Sequence, residues 1–354
     1  MKRTVCFGEM MGRLNPEGYL RLVQAQKLEL SFAGGEANVA VSLAFMGQPS
    51  AYVTRLPRND LGRAAMMELS RYQIDCSSIA WGGDRLGLYF VEKGASQRAS
   101  KVLYDRAHSA IAEASREDFD WENIFKDAAW FHFPGITPAL GGALPEICMD
   151  ALKAAKKAGV TVSCDLNYRK NLWSRERAGE VTARFMPYVD LLIANEEDAA
   201  DVFGIHAENT SIESGKLNIA GYVDVARKLS KRFPKASYVA ITLRESISAD
   251  HNNWGAMLYD RAAGRAFFAP LDAAGNYAPY EIRDIVDRFG GGDSFGAGLI
   301  HALYSEEYAD PQSAIRFAAA SSCLKHTIPG DYNYTSRAEV VTLMNGSGSG
   351  RVAR

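Results

Sequence analysis

An α/β fold, with a doubly wound and mainly parallel sheet flanked by helices, is predicted from three observations. Short apolar runs alternate with amphipathic stretches along almost the whole chain. The runs read as strands buried on both faces. Polar residues follow them directly, where an open α/β sheet places its ligand site. Bulk properties agree: 354 residues, 47% hydrophobic and 23% charged, with a formal net charge of −2 and a pI near 6.3. That balance describes a globular protein without the basic footprint of a nucleic-acid binder. Five scattered cysteines with no CxxC make a disulfide framework or a structural zinc site unexpected. The chain has no signal-peptide core and no apolar run approaching ~18 residues, so no membrane partner is expected and the cytoplasm is the expected location.

Residues 5–7, 51–54, 130–133, 160–164, 191–194 and 238–242 are the expected strands. After the first of them, residues 7–32 hold short strand-like pieces rather than a helix. Gly34-Gly35-Glu36-Ala37-Asn38 then opens a helix that runs to Met46 and stops at Gly47. Paired glycines let a ligand approach the backbone, and Asn38 can point at a hydroxyl from the first turn; a plain tight turn is the alternative. Residues 86–93 and 101–106 flank Gly94-Ala95-Ser96-Gln97 as an antiparallel hairpin. Together, about 10–33 and 86–108 are expected to form a small β lid. Strand alternation puts Tyr104 and Arg106 on one face, fit to grip a small anion or simply to meet water. Residues 140–158 form a helix with Leu144, Ile147, Ala151 and Leu152 on its apolar face, ended by Gly159. Residues 206–220 and 245–254 are expected loops, 344–354 a flexible Gly/Ser tail, and 1–343 one unit without a linker.

Polar segments crowd one rim of this sheet. Gly8-Glu9, Asp165-Leu166-Asn167-Tyr168-Arg169, Asn195-Glu196-Glu197-Asp198 and Leu243-Arg244 each follow a strand. Asp165, Asn167 and Asn195 taken singly are good helix caps. The most informative stretch is Asp287-Arg288-Phe289-Gly290-Gly291-Gly292-Asp293. Phe295, Leu299, Ala302 and Leu303 follow at helical spacing, which places Asp293 in a first turn. Glycines before that turn leave N–H groups bare at the positive end of a helix, an anion site. An acid there repels an anion unless it takes the proton of an attacking hydroxyl while the N–H groups hold a transferring phosphoryl. A glycine-rich turn with an aspartate favouring the helix dipole is the alternative. No GxxxxGK[ST], GxGxxG after the first strand, or HExxH is present, and the six histidines are isolated.

Over about residues 1–343 the chain resembles the ribokinase-like (PfkB) family of carbohydrate kinases. Gly34-Gly35-Glu36-Ala37-Asn38 resembles its N-terminal Gly-Gly-x-x-x-Asn element, and the 287–293 stretch its C-terminal Asp-Thr-x-Gly-Ala-Gly-Asp element. The resemblance implies an α/β body with a small β lid, Asp293 as catalytic base, and Gly290, Gly291 and Gly292 leading into an anion hole. It implies ATP and Mg2+ and admits a monovalent cation. Arg288 stands where the family has threonine, and Asp198 stands at the acidic position of the family's magnesium-linked Asn-x-x-Glu element, beginning here at Asn195. One methylene shorter than glutamate, Asp198 suits a water-mediated role.

Within the family the chain is most similar to 2-keto-3-deoxygluconate kinases, through Tyr89, Tyr104-Asp105-Arg106 and the arginine of Asp165-Leu166-Asn167-Tyr168-Arg169. That similarity implies ATP-dependent phosphorylation of the terminal 6-hydroxyl. Arg106 and Arg169 would hold the substrate carboxylate through charge-assisted bonds. Tyr89, Tyr104, Gly34, Gly35 and Asn38 would meet the rest of the sugar acid. Asn195, Thr242, Arg244, Ser246 and Gly292 would meet the nucleotide, and Asn195 and Asp198 the metal through water. A kinase for a neutral sugar or for 2-keto-3-deoxygalactonate is the alternative, and a non-catalytic sugar-binding regulator is a more distant one. Exposed lid edges suggest pairing with a second copy.

Overall fold

The chain is described over residues 2–195, 197–207 and 219–346 in a computed structural model. In chain order its strands are β1 (Arg3–Phe7), β2 (Met11–Asn15), β3 (Glu29–Ala33), β4 (Ser50–Val53), β5 (Arg55–Leu56), β6 (Ala80–Trp81), β7 (Gly87–Glu92) and β8 (Lys101–Asp105). There follow β9 (Ala128–Pro134), β10 (Thr161–Asp165), β11 (Leu191–Ala194), β12 (Tyr238–Ser246), β13 (Asn252–Asp260), β14 (Arg265–Ala269) and β15 (Tyr280–Ile282). Among the described residues, nine strands form one sheet in the order β14-β13-β12-β11-β10-β9-β1-β4, with β15 paired to β13. The six strands expected from apolar runs are its parallel part, β4, β1, β9, β10, β11 and β12.

Period-two alternation builds two cores from these strands. Val5, Phe7, Phe131, Val162 and Leu192 face one layer, with Leu152, Val181, Phe185 and Leu229 from the helices Leu144–Lys157, Arg175–Phe185 and Ile219–Arg232. Cys6, Tyr52, Trp130, Leu191 and Ile193 face the other, against Val41, Phe295 and Phe317 from the helices Gly35–Phe45, Gly291–Tyr304 and Pro311–Lys325. Burying each large side chain contributes roughly 1.5–3 kcal/mol, and the fold needs both layers to cover the sheet. No helix among the described residues is long and apolar enough to cross a membrane.

The antiparallel extension corrects the loop expected over 245–254. β12 runs on to Ser246 and β13 begins at Asn252, so the connection is only 247–251. Its polar residues belong to a ladder in which Glu245 faces Asn253, whose Nδ2 donates to Glu245 at 2.8 Å. A cross-strand polar pair of this kind has no apolar signature. Of the loop expected over 206–220, residues 208–218 lie outside the described residues, and Ile219 already begins a helix. The helix expected over 140–158 is shorter, Leu144–Lys157, because Gly141 and Gly142 take φ of 90° and 56° before it. Gly159, with φ 71°, ends it as expected. The expected tail begins inside the helix Arg337–Met344, and residues 347–354 lie outside the description.

A second sheet, ordered β3-β2-β7-β8, stands on the carboxyl side of the first. Its register places Arg13 opposite Tyr89, and Tyr89 opposite Tyr104, on one face. Leu14, Leu30, Phe90 and Leu103 share the opposite face. The sheet is fastened by Arg13, whose guanidinium donates to Asp287 at 2.8 Å and also to Asp331. All three side chains are about nine-tenths buried. Removing one partner from a buried pair leaves charge without compensation. Arg13→Met should therefore cost about 3–5 kcal/mol, read as a lower denaturant midpoint with an unchanged slope; an unchanged midpoint would show that the pairing does not hold the sheet.

Candidate active site

The two sheets and two glycine-led helix starts enclose a cavity of about 360 Å³ at the carboxyl ends of β1, β10, β11 and β12. Of the residues expected to form a site, Gly34, Gly35, Asn38, Tyr89, Tyr104, Arg106, Arg169, Asn195, Asp198, Thr242, Arg244, Gly290, Gly291, Gly292 and Asp293 all line it. Ser246 does not. It lies two residues beyond Arg244 on the extended β12, about 7 Å further along the strand. Its expected place at the nucleotide assumed a strand that ended earlier.

The turn before Asp293 has the geometry that its glycines allow. Gly290 has φ 76° and ψ 1°, and a Cβ there would lie 1.9 Å from the main-chain oxygen of Asp331. A Cβ on Gly292 would meet nothing within 4 Å, so this residue faces open space. Ser294 N donates to Gly290 O at 2.8 Å, closing the first helical turn. The N–H groups of Gly291, Gly292 and Asp293 are then the ones that helix geometry leaves without intrahelical acceptors. At the other helix start, a Cβ on Gly34 would lie 2.0 Å from Glu9 O, so glycine is required there too.

Asp293 and Asn38 join the two helix starts: Asn38 Nδ2 donates to Asp293 Oδ2 at 2.6 Å. Burial raises the Asp293 carboxyl to about 6, the Asn38 hydrogen bond opposes that rise, Asp331 adds to it, and Arg169 and Lys325 oppose it. The Asn38 amide oxygen is buried without a hydrogen-bond partner among the described residues. An acceptor left in this state beside the carboxylate suits a ligand hydroxyl.

Several side chains reach the cavity already committed. Arg106 Nε donates to Glu9 at 2.8 Å, its Nη2 contacts the same oxygen, and Ser109 donates to the other Glu9 oxygen at 2.6 Å. The guanidinium lies 5.1 Å from the Tyr104 ring centre, and the Tyr104 and Tyr89 rings stack at 6.0 Å. Tyr89 donates its hydroxyl to Asp331 at 2.8 Å, leaving its ring to the cavity. Arg169 donates to Tyr168 O at 3.0 Å and pairs with no carboxylate of the described residues. Asn195 and Asp198 line the site with their side-chain oxygens bound to main-chain N–H groups at the start of the helix Asp198–Phe203. Asn195 Oδ1 accepts from Glu197 N and Asp198 N, and Asp198 accepts from Asn195 N and Tyr168 N, all at 2.8–3.0 Å. Arg288 binds the 248–252 turn, donating to Ala249 O at 2.6 Å, Asn252 Oδ1 at 3.0 Å and Ser248 O.

Sequence reasoning gave no site role to Glu36, Arg13 or Asp331. Glu36 is buried in the cavity wall, and burial, then Asp293, holds its carboxyl well above the usual range. It sits inside the Gly34–Asn38 element, so its position was visible although its burial was not. Arg13 and Asp331 are 318 residues apart, so no local pattern announces their pairing. Burial likewise raises Asp165 well above the usual range, with Asp198 and Asp293 adding to it.

Comparison with known proteins places this geometry. Residues 1–242 match the family described as pfkB family carbohydrate kinase. The chain is 32% identical over 347 residues to the 2-dehydro-3-deoxygalactonokinase of Haloferax volcanii, covering 98% of each chain. It is 25% identical over 331 residues to the 2-dehydro-3-deoxygluconokinase of Bacillus subtilis, covering 93% of this chain and 90% of that one. The crystal structure of the 2-dehydro-3-deoxygluconokinase of Thermotoga maritima superposes with a TM-score of 0.90 at 48% identity, over 98% of this chain and 100% of that one. With a ribokinase-like sheet, full-length relatives and more than half its residues matched by one family, the chain belongs to the PfkB family of carbohydrate kinases.

Proposed function

We propose that the protein transfers the γ-phosphoryl group of ATP to the terminal 6-hydroxyl of 2-keto-3-deoxygluconate (2-dehydro-3-deoxygluconate). Asp293 carries this reading: it is a buried carboxylate raised to about 6, held by Asn38 at the mouth of an open glycine turn. The hydroxyl oxygen forms a bond to phosphorus, the bond from phosphorus to the ADP oxygen breaks, and the hydroxyl proton passes to Asp293. N–H groups of Gly291, Gly292 and Asp293 stabilise charge on the transferred group. Arg169, with Arg106, receives the substrate carboxylate. The stacked Tyr89 and Tyr104 rings pack the carbon chain, and Asn38 Oδ1 accepts from a hydroxyl near Gly34 and Gly35.

Thr242, Arg244 and Gly292 meet the nucleotide. Magnesium, when bound, neutralises phosphate charge. Asn195 and Asp198 suit it through water, because their oxygens already accept main-chain N–H groups. A monovalent cation receives no role, since both Asp287 oxygens beneath the turn accept from Arg13, Gly330 N and Phe289 N. In this reading residues 1–343 act as one unit, and the small sheet is a lid that excludes water from the reacting phosphoryl. The five free thiols fit a reducing cytoplasm. The Haloferax relative, named for the galacto epimer, supports 2-keto-3-deoxygalactonate as a second substrate of the same site.

The outer face of the small sheet supports a homo-oligomer. Leu30 and Leu103 are 44% and 58% exposed there, beside Leu14, Leu88 and Phe90. A second copy of this sheet would cover them. Sedimentation should find dimers or larger species at micromolar concentration and monomers for Leu103→Glu; a monomeric parent protein would end the proposal.

One ATP-consumption assay tests the substrate. Both keto-deoxy sugar acids should exceed fructose by about 100-fold or more in kcat/KM, a gap expected from paired charged hydrogen bonds; equal values would point to a neutral-sugar kinase. Arg169→Ala should raise KM for the sugar acid by roughly 10- to 100-fold while KM for ATP barely moves. If both constants rise together, Arg169 serves the phosphates instead.

Asp293→Asn should lower kcat by about 10²–10⁴-fold with ATP affinity retained. The base works only when deprotonated, so activity should fall as pH drops through about 6. Removing the Asn38 donor that opposes the rise should move this acid limb upward in Asn38→Ala. A limb unmoved by that change, or near-normal turnover in Asp293→Asn, would remove Asp293 from the role of base.

A further inference from the structure

Lys325 ends the helix Pro311–Lys325 and is completely buried, yet phosphoryl transfer as described above leaves it without a task. Its ammonium donates to Ile328 O at 3.0 Å. Around it lie Asp287, Asp331 and Asp293, and Arg13 is the other cation. Asp287 and Asp293 bracket the glycine turn, Asp331 comes from the loop after the helix, and Arg13 comes from β2. Burial pulls the lysine down to about 8; Asp287, Asp331 and Asp293 oppose that pull, while Arg13 adds to it. The group therefore remains an ammonium at neutral pH. A buried ammonium persists only where neighbouring carboxylates compensate it.

The donors around those carboxylates determine whether a dissolved ion has room. Asp287 Oδ1 accepts from Phe289 N at 3.1 Å, and its Oδ2 accepts from Arg13 at 2.8 Å and Gly330 N at 3.0 Å. Asp331 accepts from Arg13 on one oxygen and from Tyr89 on the other. Beneath the turn, then, the oxygens of both carboxylates are already engaged by fixed donors, the Arg13 guanidinium among them. The monovalent cation admitted by family resemblance does not fit this set.

We propose that Lys325 is the fixed counter-ion of the 287–293 turn and that, with Arg13, it takes the place of a dissolved monovalent cation. Lys325 is a positioning residue: its ammonium bonds Ile328 O in the loop that carries Asp331, and the main-chain oxygen of its neighbour His326 accepts from Val286 N and Asp287 N at the head of the turn. The assignment rests on the reading of residues 290–293 as the phosphoryl-holding turn. It separates this chain from a kinase whose turn is ordered by an ion from solution.

Thermal unfolding and turnover, each compared between potassium chloride and tetramethylammonium chloride at equal ionic strength, test it. An ion bound only by the folded state raises the unfolding midpoint. The parent protein should show coincident midpoints and rates within about twofold. Lys325→Met, similar in length without the charge, should unfold earlier, gain midpoint selectively from potassium, and lose on the order of tenfold or more in kcat. Potassium or methylammonium should restore part of that loss. A potassium-specific rise in midpoint or rate for the parent protein would overturn the proposal, and so would unchanged kcat for Lys325→Met in tetramethylammonium. Should Lys325→Met fail to fold, the parent comparison decides alone. Absence of turnover in every salt would contradict the kinase reading, while the midpoints would still decide the ion.

Discussion

Arg13 lies between Asp287 and Asp331, and the geometry of the site descends from that pairing. A guanidinium presents its donors in a rigid plane, so two carboxylates bound to it are fixed relative to each other. Asp287 begins the glycine turn, and the main-chain oxygen of Asp331 is the surface against which Gly290 packs without a Cβ. Arg13 itself belongs to the small sheet, as does Tyr89, which donates to the same Asp331. The position of the small sheet and the conformation of the turn are thus set by one cluster of buried charge. Such a pair contributes little net stability over an apolar core of equal volume. Its value here is geometric, because it places N–H groups and a carboxylate around a single point.

Charge within the cavity follows a related logic. Six carboxyl groups (Glu9, Glu36, Asp165, Asp198, Asp293 and Asp331) line a space assigned to two anionic substrates. Burial raises Glu36 and Asp165, while Glu9 spends its charge on Arg106. Arg169 is left as a cation with no carboxylate partner among the described residues. Asp293, at about 6, is close enough to neutrality to accept a proton and return it. An acid-rich wall and anionic ligands are compatible because most of the acids are paired, capped or held toward the neutral form.

What could be read in the sequence was local. The six parallel strands were legible because strands buried on both faces are short continuous apolar runs. Both helix starts were legible because glycines precede a polar side chain at a fixed offset, and Asp293 fell in the first turn as that spacing requires. Polar β-structure was not legible: the ladder that joins Glu245 to Asn253 looks like a loop, and Ser246 is its last residue on β12 rather than a residue just past a strand end. Long-range charge pairs were equally hidden. Strand alternation set Tyr104 and Arg106 on one face and the family resemblance pointed to Tyr89, but the partners of Arg106 and Tyr89, Glu9 and Asp331, are 97 and 242 residues away. Arg13 carries no motif, and Lys325 gains its meaning only from burial beside acids.

The most direct test of the central claim is the identity of the product. Protein, ATP, Mg2+ and 2-keto-3-deoxygluconate should yield ADP and one phosphomonoester, with phosphorus–carbon coupling in the NMR spectrum assigned to C6. In this account Arg169 holds the carboxylate and Asp293 takes the proton of a hydroxyl, so the end of the sugar acid away from its carboxylate is the end modified. Phosphorylation at another carbon, or ADP formed with no phosphorylated sugar acid, would contradict it.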